Sequence, residues 1–285
     1  MNFMNGFFAH GRAASTNQSR FFMKIYILNT GYLETKKKYV VASDNSVAFD
    51  ENQIIKLPVM AVLIDHPDGK ILYDLGSNPK AMDGYWPEHL REAYPLFQAD
   101  AQRLENQLAL CHTTPDEIKT VVLSHFHLDH CGNLNLFPDA SVYAPKDDFI
   151  FAQCLVRQDI NPATHGGYIK ADLDAPVKKY YLIDKDMELL NGIDIISLPG
   201  HTPDLLGMMV HTKNSGTIIF PQDCVYNEEI YGPPAKLSGL LYNKQDFLNS
   251  IEKVRHLQQK HNAMVVFAHD EKFFQTLKKA PLYYD

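Results

Sequence analysis

The chain has 285 residues, 45% hydrophobic and 21% charged, enough apolar content for a sizeable core and too much for a disordered protein. Lys and Arg total 27 against 34 Asp and Glu, a formal net charge of −7, so no nucleic-acid partner is expected. No apolar run approaches the roughly 18 residues of a membrane span, and four cysteines without a C-x-x-C pair read as reduced thiols of a cytoplasmic protein.

Residues 1–22, rich in Asn, Ser and Ala, read as a poorly ordered extension, and 23–285 as a single domain. Residues 24–29 form the first expected strand. Two apolar runs, 54–65 and 70–74, are joined by Pro67-Asp68-Gly69, a hairpin turn. Residues 77–97 break this rhythm and read as a surface insertion carrying Tyr85, Trp86, Tyr94 and Phe97, with a helix over 97–111. Thr114-Pro115-Asp116-Glu117 is a helix start, since Thr can cap, Pro fits the first turn and Glu can bond back. The helix must be short, because 120–124 (TVVLS) is a buried strand by length and β-branching. Strands follow at 140–144 and 177–183, then hairpins pairing 187–190 with 193–198 and 207–211 with 217–220. An amphipathic helix at 246–261, a strand at 264–268 and a helix at 271–279 close the chain. Hairpins alternating with helices favour two mixed sheets covered by helices over one doubly wound parallel sheet.

Directly after TVVLS comes Ser124-His125-Phe126-His127-Leu128-Asp129-His130. Residues i and i+2 of an extended segment point the same way, so His125 and His127 can grip one ion. Asp129 and His130 lie after the turn and can face a second. Imidazole nitrogen with carboxylate oxygen suits zinc, with iron, cobalt or manganese as alternatives. Further donors are expected at later strand ends, where His201, Asp223 and His269 stand. A carboxylate between two such ions can bridge them, the arrangement of two-metal hydrolases.

At these residues the chain resembles the metallo-β-lactamase superfamily, from about residue 24 to residue 272. Asp74-Leu75-Gly76 matches its first motif, whose Asp supports the metal loop without ligating. The 125–130 segment matches the second, and His201, Asp223 and His269 the third to fifth. The resemblance implies an α/β fold of the αββα sandwich type, with the metals in a cleft at one edge. It implies that His125, His127 and His201 hold one metal, Asp129, His130 and His269 the other, and that Asp223 bridges. His127 stands where the oxygen-reducing branch carries Glu, and Asp223 where the main zinc β-lactamases carry Cys. Asp223-Cys224-Val225-Tyr226 is similar to the N-acyl-homoserine lactonase branch, in which a Tyr three residues after the bridging Asp reaches into the site. Pro58-Val59-Met60, the 71–76 segment and His269-Asp270 resemble the same branch. The expected activity is therefore opening of the homoserine lactone ring, with Asp129 and Tyr226 as catalytic groups. The runner-up is another hydrolase of this fold, acting on thioesters, organophosphates or β-lactams. Met60, Tyr85, Trp86, Tyr94, Phe97 and Tyr226 are the expected substrate contacts, the aromatic stretch lining the acyl groove or packing on a partner subunit. A homodimer is expected. The chain departs from the branch at Thr202-Pro203-Asp204 and over 149–177.

Overall fold

The computed structural model describes residues 23–42 and 50–285; the expected N-terminal extension lies outside the described residues. In chain order its strands are β1 (Lys24–Lys36), β2 (Ile54–His66), β3 (Gly69–Tyr73), β4 (Leu96–Phe97), β5 (Thr120–Val122), β6 (Ser141–Pro145), β7 (Lys179–Ile183), β8 (Met187–Leu190), β9 (Ile193–Ser197), β10 (Leu206–His211), β11 (Thr217–Phe220) and β12 (Met264–Val265). The helices are α1 (Lys37–Val40), α2 (Glu88–Ala93), α3 (Leu104–Leu110), α4 (Lys146–Gln158), α5 (Lys170–Leu173), α6 (Glu228–Tyr231), α7 (Lys244–His261) and α8 (Glu271–Thr276). Two mixed sheets result, ordered β4-β1-β2-β3-β5-β6-β7 and β12-β11-β10-β9-β8.

Period-two patterning decides how these sheets stack. In β1, Ile25 and Ile27 face the second sheet, while Tyr26 and Leu28 face helix α3. In β10, Met208 and Val210 join the core between the sheets, and Met209 turns outward toward α7. Each sheet is thus apolar on both faces, one against its partner and one under helices. This is the layer order expected. α7 is fixed at its start by Asn243, whose side chain accepts from the N–H groups of Gln245 and Asp246. It buries Phe247, Ile251 and Val254, each stabilising by roughly 1.5–3 kcal/mol.

Several elements are shorter than their sequence suggests. The expected helix at 97–111 reduces to α3, because Phe97 pairs with Tyr32 as β4, the rings stacked 5.0 Å apart, and Gln102 turns back to cap Ala99 at 2.9 Å. Pro115–Glu117 makes only a single tight turn, closed by the foreseen Thr114 and Glu117 cap. Residues 77–97 combine both surroundings: Ala81, Trp86 and Leu90 are buried in the core, while Met82 and Phe97 are exposed.

Strand direction places the site. β3, β5, β6 and β7 run parallel, so Asp74 and the His125 loop leave one edge of the first sheet together. In the second sheet β9, β11 and β12 share a direction, delivering His201, Asp223 and His269 to one edge. Bonds between the sheets join the edges, among them Leu206 N–H donating to the Ser124 carbonyl at 2.9 Å and Tyr73 Oη donating to the Leu206 carbonyl at 2.6 Å.

Candidate metal centre

Asp74, one residue past β3, sits at φ 55°, a left-handed conformation that Asp tolerates better than most residues but that still costs stability. Its carboxylate organises the loop above it. Oδ1 accepts the Ser124 N–H at 2.7 Å, and Oδ2 accepts the Ser124 hydroxyl at 2.8 Å and Gln222 Nε2 at 2.6 Å. Capturing the Ser124 N–H ends β5 earlier than β-propensity suggests and turns the chain into the histidine loop. Gln222 is itself at φ 47°, so two strained residues meet beneath the site. Across it, Gly200 lets the start of α7 press onto the turn before His201; an added Cβ would lie 2.2 Å from the Phe247 nitrogen.

Seven side chains converge in two groups. His125, His127, His201 and Asp223 form one, and Asp129, His130 and His269 the other, with donor atoms of each group within 4.8 Å of one another. Asp223 divides its oxygens between them. Oδ1 lies 3.1 Å from His130 Nε2 and 3.0 Å from His269 Nε2, while Oδ2 lies 3.3 Å from His201 Nε2 and 3.8 Å from His125 Nε2. Four imidazoles are aimed by a bond to the opposite ring nitrogen, Nδ1. Ser124 Oγ lies 2.9 Å from that of His125, Asp74 Oδ2 2.8 Å from that of His130, and the Pro58 carbonyl 2.8 Å from that of His269. The Leu240 carbonyl and Tyr226 Oη lie 3.4 and 3.1 Å from that of His201. Such outer partners fix which nitrogen is free to ligate.

The donor set fits divalent cations. Nε2 of His125 and of His130 is buried with no hydrogen bond of acceptable geometry; even the 3.1 Å approach of His130 to Asp223 is a charge contact, not an aligned bond. Buried polar atoms left this way are costly unless something else satisfies them. Burial, then the neighbouring imidazoles, hold His125 and His127 well below the usual range, in the neutral form that ligates. Burial also opposes charge on His130 and His269, but the Asp223 and Asp129 carboxylates outweigh it and raise both. Burial would raise Asp223, yet His130 and His269 hold it well below the carboxylate range. The acidic side of the centre therefore demands positive charge, which protons supply where a cation can.

A cleft of about 570 Å³ opens on this centre, within the size range of small-molecule sites. One wall is Leu33, Tyr39, Leu57, His89, Leu90 and Tyr94; the other is Phe151, Leu155, residues 163–168 and residues 240–242. His127, Asp129, His201, Asp223, Tyr226 and His269 form the floor. Tyr226 is buried with its ring between His201 and His269; burial, then Asp223, raises its pKa well above the usual value, so it stays a neutral donor. Of the aromatic stretch, only Tyr94 lines the cleft. Trp86 is corrected to the core at 1% exposure, where the largest apolar side chain gains most from burial. Met60 is corrected too, since strand alternation turns it between the sheets with Val62 and Ile64. Phe97 is held on Tyr32, and Tyr85 is turned away to donate to Asp172 Oδ1 at 2.5 Å.

The second wall went unforeseen. Pro145 followed by Asp147 and Asp148 is a readable helix start, and Phe151 and Leu155, four apart, lie on one face of it. Gln222 and Ser124 gave no signal beyond adjacency to donors.

Residues 54–269 match the profile of the family described as the metallo-beta-lactamase superfamily. The chain is 28% identical over 270 residues to the N-acyl homoserine lactonase AiiB of Agrobacterium fabrum, covering 90% of this chain and 97% of that one. It is 29% identical over 274 residues to the N-acyl homoserine lactonase AttM of Azorhizobium caulinodans, covering 92% and 99%. Among solved structures it superposes on a variant of AiiA from B. thuringiensis with N-decanoyl-L-homoserine at its active site. The TM-score is 0.78 at 20% identity, covering 92% of this chain and 98% of that one.

Proposed function

The chain belongs to the metallo-β-lactamase superfamily, and from that membership we propose that it hydrolyses the lactone ring of N-acyl-homoserine lactones, degrading quorum-sensing signals. The observation that carries this reading is a largely apolar cleft whose floor combines the seven-donor centre with the Tyr226 phenol. An amphiphile with a polar ring and an acyl chain suits such a space, and the lactonase relatives align along nearly their whole length.

In this reading His125, His127 and His201 would hold one divalent ion and Asp129, His130 and His269 the other, with Asp223 within reach of both. Zinc suits the donors, with iron, cobalt and manganese as alternatives. When bound there, such ions would supply Lewis acidity toward a carbonyl oxygen and lower the pKa of a water. The residues of the chain do the rest. His201 turns Nε2 to Asp223, so its Nδ1–H points at the Leu240 carbonyl and the Tyr226 oxygen. The phenol proton is then available to the substrate, for the carbonyl oxygen as it gains charge or for the amide. Asp129 takes a proton from the attacking water. As the ring C–O bond breaks, that proton goes to the departing ring oxygen, giving the N-acyl-homoserine. We further propose a cytoplasmic homodimer. No described helix is long and apolar enough to cross a membrane.

Turnover of acyl-homoserine lactones by the metal-loaded protein, beside a thioester, a phosphotriester and a cephalosporin, tests the reading. Preferred ring opening is expected. Efficient hydrolysis of another class with an inert lactone would overturn it.

A further inference from the structure

Four of the five imidazoles at the centre are aimed by an Nδ1 hydrogen bond to a group outside the seven donors, and His127 is the exception. Its Nδ1 points inward, 3.0 Å from His201 Nε2, and among the described residues its Nε2 makes no hydrogen bond. Contact holds the ring instead. The Tyr168 ring meets it edge-on at 4.7 Å, and Gly167 lies so close that an added Cβ would be 3.0 Å from His127 Cδ2. The backbones are paired as well, Leu128 N–H donating to the Gly167 carbonyl at 3.0 Å.

One buried carboxylate on α4 ties both parts of this clamp. Asp148, fully buried, accepts the Tyr168 hydroxyl on Oδ1 at 2.5 Å and the Phe126 N–H on Oδ2 at 2.9 Å. Phe126 lies between His125 and His127, so the same group fixes the peptide that carries the ligand and the ring that packs on it. We propose that Asp148 and Tyr168 are positioning residues that set the His127 imidazole for metal binding, doing through packing what hydrogen bonds do for the other four. The inference rests on His127 being a ligand, as in the proposed function, but not on the substrate being a lactone. Gly167 and Tyr168 also line the cleft, so the clamp is part of the substrate wall.

The test uses the full chain and four variants: Tyr168→Phe, Gly167→Ala, Asp148→Ala and, as the conservative replacement, Asp148→Asn. Zinc affinity of both sites is measured by competition with a chromogenic chelator, and cobalt-substituted protein is examined by visible absorption. Tyr168→Phe keeps the ring and frees it from its tether, and Gly167→Ala pushes on His127 without touching Asp148. Each is expected to weaken one site about 10–100-fold, leave the other unchanged and shift the cobalt bands. In the Asp148 variants, whose altered side chain does not line the cleft, lactone kcat should fall with KM within about twofold. Asp148→Asn still offers an acceptor to the Phe126 N–H and should recover part of what Asp148→Ala loses. Wild-type affinity at both sites with an unchanged cobalt spectrum in Tyr168→Phe would overturn the proposal. So would equal weakening of both sites accompanied by a lower melting temperature, which assigns the pair to folding alone. If the wild type opens no lactone, the metal measurements still decide the clamp, and the two failures stay distinct.

Discussion

Asp223 offers one oxygen to each half of the centre, at 3.0–3.3 Å from His269, His130 and His201. The adjacent Cys224 cannot replace it, being buried in the apolar cluster under α7. Asp223→Ala is expected to hold at most one equivalent of metal and to lose at least about a thousandfold in turnover; metal analysis and lactone kinetics on one preparation check both. Two full equivalents with wild-type turnover would remove Asp223 from the bridging position. Tyr226 makes a narrower claim, since its ring is packed and only its hydroxyl is proposed to act. Tyr226→Phe should therefore melt like the wild type and turn over about 10–1000-fold more slowly. Unchanged kcat and KM would make it a core tyrosine. At this scale the sequence was most legible where chemistry is dense, as in the 125–130 segment. It was least legible for Ser124, Gln222 and Asp148, ordinary polar residues whose roles depend on which backbone N–H or imidazole the fold brings within reach.

The strands were readable because their signals are local: Pro67-Asp68-Gly69 and Asn191-Gly192 demand hairpins, and alternation names the buried face. The cleft walls were not, because an aromatic side chain in an irregular stretch does not say which way it points. Trp86 faces the core and Tyr94, eight residues on, faces the cleft. Helix α5 and the 77–97 stretch are joined by a contact that no spacing predicts, the Tyr85 hydroxyl donating to Asp172. Asp172 is buried, its second oxygen has no partner, and burial pushes its carboxyl up to about 7, against a smaller opposing effect of the Tyr85 bond. Its folded-state pKa is therefore above the unfolded value, so the folded protein holds a proton that the unfolded chain releases. Stability from this group is fully present below about pH 4 and is lost as pH rises toward 7. Asp172→Asn keeps an acceptor for Tyr85 and cannot ionise. Its melting temperature should match the wild type near pH 4 and exceed it increasingly up to pH 8. A gap that stays constant with pH would show that Asp172 is solvated and charged throughout.

The whole molecule is two sheets whose edges meet at the centre, and each proposed ion takes donors from both. His125, His127, Asp129 and His130 leave the first sheet; His201, Asp223 and His269 leave the second. Metal binding should therefore act as a staple between layers as well as a catalytic requirement. A ligand bound only by the folded state stabilises by about 2.7 kcal/mol per site at a hundredfold excess over Kd. In a chain of this size 1 kcal/mol moves the melting temperature by about 2–4 °C, so filling both sites should raise it by roughly 10–20 °C over chelator-treated protein. The increment also has a pH dependence with a definite sign. Carboxylates raise His130 and His269, so in metal-free protein these imidazoles hold protons to higher pH than an ordinary histidine. Protons and metal compete for the same nitrogens, and they compete harder as pH falls. Scanning calorimetry of loaded and metal-free protein should show a gap that is widest in mild alkali and closes through pH 6 toward pH 5. A metal-free protein, verified by elemental analysis, that melts with the loaded one at pH 8 would mean the sheet edges are held without the ions, by contacts such as Tyr73 to Leu206 and Leu206 to Ser124.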